Sequence, residues 1–137
     1  MTVHLEGLDG LHAAVGSELG ISPWLVVAQE RIDKFAETTG DRAWIHVDLE
    51  RAADGPYGRT IAHGLLTLSL VTMLAAQVVR VQGVAGALHY GYDRVRFIRP
   101  VPVGSSVRAR VSLGAVSGEP AGVRASYHVE VEVAGAS

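Results

Sequence analysis

Two short stretches carry residue types that can work together on a substrate. The first is Gly40-Asp41-Arg42-Ala43-Trp44-Ile45-His46, which places a carboxylate and an imidazole in one loop. The second is Ala62-His63-Gly64, at the mouth of a long apolar run. An Asp and a His together can hold a water molecule and activate it as general acid and base. Gly64 can bring a bare backbone N–H to a carbonyl oxygen as charge develops there. The set suits addition or removal of water next to a thioester carbonyl. Each stretch also has a plainer reading. Asp41 alone can be a loop cap and His46 a surface residue, and His63-Gly64 alone can be a helix start with Gly for close packing. His4, His12, His89 and His128 show no ligand spacing, and no carboxylate–His cluster has the characteristic spacing of a metal site, so no metal is expected.

These residues need elements to position them. The apolar run, Ile61 to about Val81, reads as one helix that is apolar nearly all round, hence buried on most sides or in a membrane. His63, Gly64, Thr67, Ser69, Thr72 and Gln77 interrupt it, and no basic cluster flanks it, so the soluble reading is preferred. Its N-terminus offers free N–H groups and the positive end of the dipole. Before the first stretch, Ile32, Phe35, Ala36 and Thr39 share one face of a helix starting near Gln29, with Gly40 at its left-handed stop. Asp41 to Val47 reads as a non-helical connection, and Asp48 as the cap of a short helix through Ala53.

Elsewhere, residues 1–20 carry a weak helical pattern through Leu8, Leu11, Val15 and Leu19, and Trp24 to Val27 is a short strand candidate. After Gly83 the pattern turns to period two. Long strands are expected within Val84 to Val101, from Val107 to Leu113 and from Val123 to Val133. Pro100 to Gly104 and Ser117-Gly118-Glu119-Pro120 are turns. Helices followed by a run of strands give an α+β class with an antiparallel sheet.

Composition narrows the function classes. The chain has 137 residues, 48% apolar and 19% charged, which is enough for one domain with a real core. A net charge of −2 gives no electrostatic case for nucleic acid. With no cysteine, disulfides and thiolate chemistry are excluded. The first residues lack the pattern of a signal peptide, and a cytoplasmic protein is expected.

The ordered set resembles the MaoC-like dehydratases, the (R)-specific enoyl-CoA hydratases of the hotdog fold. Their signature looks like Phe-Ala-x-x-[Ser/Thr]-Gly-Asp-x-Asn-Pro-x-His, then Asp and a short helix, then [Ile/Val]-x-His-Gly opening the long helix. Here it appears as Phe35-Ala36-Glu37-Thr38-Thr39-Gly40-Asp41 through His46-Val47-Asp48, then Ile61-Ala62-His63-Gly64. Val95 to Gly104 matches the family's strand and turn, so the likeness covers roughly residues 22–133.

The resemblance implies a single hotdog domain over residues 1–137, an antiparallel sheet wrapped around a long central helix. It implies that Asp41 and His46 hold the attacking water and that Gly64 N–H binds the thioester oxygen. Thr72, two turns along the helix, aligns with a Ser that supports the catalytic pair in some relatives, while a Thr bonded to its own helix backbone is the plainer reading. His63 is a motif residue whose role is in substrate binding or structure. No cofactor is implied beyond CoA or phosphopantetheine as part of the substrate. The implied partners are an acyl-CoA or acyl-carrier-protein thioester and a second copy of the chain, with no nucleic acid and no membrane. Arg94, Arg96 and Arg99 can reach the phosphates of the carrier, or can be solvated strand charges.

Two departures stand out. The family's Asn-Pro is Ala43-Trp44 here, and Trp44 is open to packing against the acyl chain or the partner. Relatives continue past Tyr127 to Val133 into one more long strand, for which no counterpart is read here, so either the sequence is trimmed or the sheet is completed differently, for example by another chain. Two other readings stay open: a hotdog thioesterase, and a non-catalytic acyl-thioester-binding subunit.

Overall fold

The structure, a computed structural model, describes residues 1–119 and 122–135. Its elements run β1 (Val3–Glu6), α1 (Gly7–Ala14), β2 (Glu18–Ile21), β3 (Leu25–Val26), α2 (Gln29–Thr39), α3 (Trp44–Val47), α4 (Leu49–Ala53), α5 (Gly64–Ala76), β4 (Val79–Gln82), β5 (Ser106–Glu119) and β6 (Gly122–Val133). They divide into two compact units. One holds Met1–Pro23, Val71–Arg94 and Arg108–Glu132; the other holds Trp24–Leu70, Val95–Val107 and Val133–Ser137. Both α5 and β5 run through the two.

In the first unit, β2 pairs antiparallel with β5, Ile21 opposite Arg110, and β6 also pairs with β5. The alternation expected from Val107 to Leu113 is real. Val107, Ala109, Val111 and Leu113 are fully buried, and the intervening side chains are half-exposed. Glu132 on β6 bonds Arg108 at 2.7 Å and Arg110 at 3.0 Å on that outer side, and Arg110 also takes Glu18 at 2.6 Å. The two guanidinium groups hold the Glu132 carboxyl below the usual carboxylate range, Arg108 first. One pairing departs from the all-antiparallel expectation: β1 runs parallel to β4, Val3 opposite Val79. The weak helical pattern of residues 1–20 accordingly resolves into strand, helix and strand. Only Leu11 of α1 is buried, since eight residues offer too short a face for more.

In the second unit, α2 follows the periodicity closely. Ile32 and Ala36 are buried, and Gly40 ends the helix at φ +83°, where its N–H reaches the Ala36 carbonyl. Asp48 caps α4 by accepting from Arg51 N at 3.1 Å, as expected. The β3 strand pairs with Ser106 and Val107, and the turn after Pro102 closes through Ser105 N to Pro102 O with Gly104 at φ +83°.

Three expectations are corrected. The long helix starts at Gly64 and ends at Ala76, so it is shorter than Ile61 to Val81. Ile61 N and Ala62 N are committed to the Ile45 and Val101 carbonyls, which keeps that backbone extended. At the other end β4 takes Val79 onward. Leu66, Leu70 and Leu74 bury one stripe of α5, while Leu65 and Met73 stay exposed. Second, Trp44–Val47 is a helical turn and not an irregular connection. Third, Val84 to Val101 forms no strand, and most of its side chains are exposed. The turn at Ser117 to Pro120 lies partly outside the described residues. No helix among the described residues is long and apolar enough to cross a membrane.

Candidate active site

The site forms within the second unit, from the turn after α2, α3 and the start of α5. Because Gly40 takes the left-handed conformation, the chain leaves α2 sharply and Asp41 emerges at once. Thr39 Oγ1 accepts from Asp41 N at 3.3 Å, and Asp41 Oδ1 accepts from Ala43 N at 3.3 Å, an Asx turn that fixes the carboxylate. Asp41 remains exposed, whereas His46, the third residue of α3, is 8% exposed.

Hydrogen bonds assign the donating nitrogen of each imidazole. His46 Nδ1 lies 2.7 Å from the Ile61 carbonyl oxygen. A carbonyl only accepts, so Nδ1 carries a proton, and whenever the ring is neutral its lone pair lies on Nε2. His63 Nε2 lies 2.9 Å from the Asp41 carbonyl oxygen, so there Nε2–H donates. His63 Nδ1 is buried without a hydrogen-bond partner. The two rings stack with centroids 3.8 Å apart and 22° between planes, and Phe35 closes on His63 at 4.9 Å. His63 therefore holds the Asp41 backbone from below and supports the His46 ring.

A carboxylate oxygen of Asp41 and one ring nitrogen each of His46 and His63 lie within 4.8 Å of one another. These donor types can hold a metal ion. The stack works against it: zinc needs nitrogens at about 2.0–2.1 Å with the ring plane aimed at the ion, and near-parallel rings aim their lone pairs side by side. A water molecule, which accepts bent and longer contacts, suits the cluster better.

Gly64 follows His63 directly and opens α5. The His63 carbonyl accepts from Leu66 N at 3.0 Å and Thr67 N at 3.2 Å, so the Gly64 N–H precedes the intrahelical ladder and is available at the positive end of the helix. The space beside it is tight, since a Cβ would lie 3.0 Å from the Phe97 ring and push it back by a few tenths of an ångström.

Other expected residues fall elsewhere. Trp44 is held by its own neighbours: the Arg51 guanidinium sits 4.4 Å from the ring centroid, and a Cβ on Gly55 would come within 3.0 Å of the ring. Thr72 belongs to the first unit, where it lines an open apolar pocket of about 420 Å³ with Ala75, Val79, Val81 and Tyr127. Burial pushes the Tyr127 phenol up. Arg94, Arg96 and Arg99 are exposed in the segment without regular structure.

Sequence reasoning passed over Gln29 and Thr60. Gln29 Nε2 donates to the His46 carbonyl at 2.8 Å, and its Oε1 accepts from Thr60 Oγ1 at 2.6 Å. A Gln opening a helix and a Thr before an apolar run carry no signal of their own, because only folding brings them together.

Comparison with known proteins shows the family. Residues 11–134 match the family model described as MaoC like domain. The chain is 49% identical over 133 residues to 3-hydroxyacyl-thioester dehydratase Z of Mycobacterium tuberculosis, covering 96% of this chain and 88% of that protein. It is 42% identical over 134 residues to Nodulation protein N of Rhizobium leguminosarum bv. viciae, covering 96% and 83%. Among solved structures, the (R)-hydratase from A. caviae involved in PHA biosynthesis superposes with a TM-score of 0.69 at 26% identity, covering 88% of each chain. The architecture is thus the hotdog fold, an antiparallel sheet with a central helix.

Proposed function

The chain belongs to the MaoC-like domain family and is a hydro-lyase, and from that premise we propose that it adds water reversibly to trans-2-enoyl thioesters to give (R)-3-hydroxyacyl thioesters. One observation supports the reading above all: a carboxylate oxygen of Asp41 and a ring nitrogen each of His46 and His63 lie within 4.8 Å of one another, and His63 is followed directly by Gly64, which opens α5.

The reaction follows from the tautomer of His46. Asp41 and the His46 Nε2 lone pair hold a water between them. Nε2 takes one proton as the water oxygen bonds to C3 of the enoyl chain. The electron pair of the C2–C3 double bond moves toward the thioester, and the enolate oxygen receives the Gly64 N–H and the positive end of α5. A proton from the Asp41–His46 pair then reaches C2, so the elements of one water are added overall. Dehydration runs the same steps backward. The CoA or phosphopantetheine arm arrives with the substrate, and no further cofactor is needed. Arg94 and Arg96, exposed and cationic, are suited to its phosphates. The 3-hydroxyacyl-thioester substrate in the name of the mycobacterial relative supports the same class.

The partner in this reading is a second copy of the chain. Val84 to Pro100 keeps the period-two pattern of a strand but pairs with nothing among the described residues, and Leu88, Tyr90 and Ile98 are 96%, 78% and 84% exposed.

The test is hydration of crotonyl-CoA, followed by loss of enoyl absorbance, with chiral analysis of the product and a parallel assay for free thiol. The expected result is (R)-3-hydroxybutyryl-CoA without thiol release. Thiol release without water addition would replace the reading with a thioesterase. Tight binding of short and long enoyl-CoAs without turnover would replace it with a non-catalytic binder.

A further inference from the structure

We propose that Gln29 and Thr60 form a positioning pair that fixes the tautomer and orientation of His46. The inference rests on the reading of His46 Nε2 as the base of the reaction.

The pair closes a ring of bonds around the imidazole. Gln29 is the first residue of α2, and its carboxamide uses both ends. Nε2 donates to the His46 carbonyl at 2.8 Å and to Asp33 Oδ1 at 2.9 Å, while Oε1 accepts from Thr60 Oγ1 at 2.6 Å. Thr60 is 2% exposed, out of contact with bulk solvent, and its hydroxyl is spent on Gln29. The next residue, Ile61, gives its N–H to the Ile45 carbonyl at 3.0 Å and receives His46 Nδ1–H on its own carbonyl at 2.7 Å. Two adjacent residues of the 60–61 segment are therefore tied to two adjacent residues of α3, once through backbone and once through Gln29.

That arrangement has a consequence for the base. A neutral imidazole places its proton on whichever nitrogen finds the better acceptor. The Ile61 carbonyl is that acceptor only while it stays in line with Nδ1. Gln29 holds the backbone of His46, Thr60 holds the residue preceding that carbonyl, and the carboxamide links the two. Without the link, the α3 turn and the 60–61 segment keep one backbone bond between them and can rotate about it. The proton can then move to Nε2, which removes the lone pair that the water needs. Asp33 makes the arrangement directional, because it occupies the second hydrogen of the Gln29 amide and prevents a flipped carboxamide from satisfying the same partners.

The experiment uses the full chain labelled with ¹⁵N-histidine. The ring nitrogen shifts of His46, assigned by their loss in His46→Gln, report the tautomer directly and need no substrate. The expected result is an Nδ1–H signature in the parent and a mixture of tautomers in Gln29→Leu and in Thr60→Val. On crotonyl-CoA these variants should lose roughly 10–100-fold in kcat with KM little changed, as when the orienting partner of a functional histidine is removed. Thr60→Ser keeps the hydroxyl and should restore both tautomer and kcat. The double variant should be no worse than either single one, since both break the same link. Retention of the Nδ1–H signature in folded Gln29→Leu and Thr60→Val overturns the proposal, whatever kcat does. Mixed tautomers in the variants of a chain that hydrates no enoyl thioester uphold the positioning pair and overturn the hydratase reading instead.

Discussion

Asp41 and His46 are held in opposite ways. His46 is buried, with its ring pinned at 2.7 Å to the Ile61 carbonyl and its face stacked on His63. Asp41 is exposed, with one carboxylate oxygen tied at 3.3 Å to Ala43 N and the rest of the group open to solvent. Replacement should separate chemistry from folding at both positions. In Asp41→Asn the side-chain oxygen can still accept from Ala43, so the turn survives and only the negative charge is lost. We expect kcat to fall by roughly 10²–10⁴-fold with the melting temperature nearly unchanged, the range for loss of a general acid or base. His46→Ala should fall by a similar factor. Steady-state hydration kinetics with a thermal melt on each variant check this, and near-parent kcat in either would remove that residue from the reaction.

The elements around the pair were legible in proportion to how local their causes are. Helix α2 was readable because Ile32 and Ala36 recur at its period and Gly40 supplies the left-handed stop. The α4 helix was readable from Asp48 as its cap. Both signals lie within a few residues of what they determine. The α3 turn was not readable, because its first position holds Trp44 and its cap position holds Ala43, which makes no side-chain cap bond. Its stability comes from outside: Trp44 wedged against Gly55 under Arg51, and Gln29 on the His46 carbonyl. The length of α5 is not legible in the sequence for a related reason. Apolar character continues past both ends, but the Ile61 and Ala62 N–H groups are taken by Ile45 and Val101, partners distant in sequence. Asp41, His46 and His63 are visible in the sequence as residue types, and their meeting within 4.8 Å is not. The uncapped α3 gives the prediction at this scale. Ala43→Asn supplies an acceptor for the first free N–H groups of α3 and should raise stability by about 1 kcal/mol, the usual worth of a polar N-cap over Ala. Chemical denaturation should show a higher midpoint with an unchanged slope. A lower midpoint would mean that the Asn side chain competes with Asp41 for the Ala43 position instead of capping the helix.

At the scale of the whole molecule, the segment from Val84 to Val101 is informative. Val84 to Val101 alternates as a strand does, and the sequence pattern is real, yet a strand exists only when its N–H and C=O groups find a ladder. Among the described residues of one chain Val84 to Pro100 finds none, and Leu88, Tyr90 and Ile98 stay largely exposed. Burying Leu88, Tyr90 and Ile98, which are 96%, 78% and 84% exposed, returns about 1.5–3 kcal/mol for each large apolar side chain. Association costs roughly 4–15 kcal/mol in lost freedom, so three side chains alone barely meet it, and backbone pairing along the segment must contribute as well. A second copy offering the same segment supplies both, and the isologous symmetry doubles every contact. Light scattering should therefore give twice the 14.5 kDa chain mass. Leu88→Asp places a charge at two symmetry-related positions and should shift the equilibrium toward monomer by tenfold or more, each tenfold being about 1.4 kcal/mol. A parent protein that scatters as a single chain across the accessible concentration range would sink the dimer. It would also leave the exposed apolar stretch to be covered by a different protein.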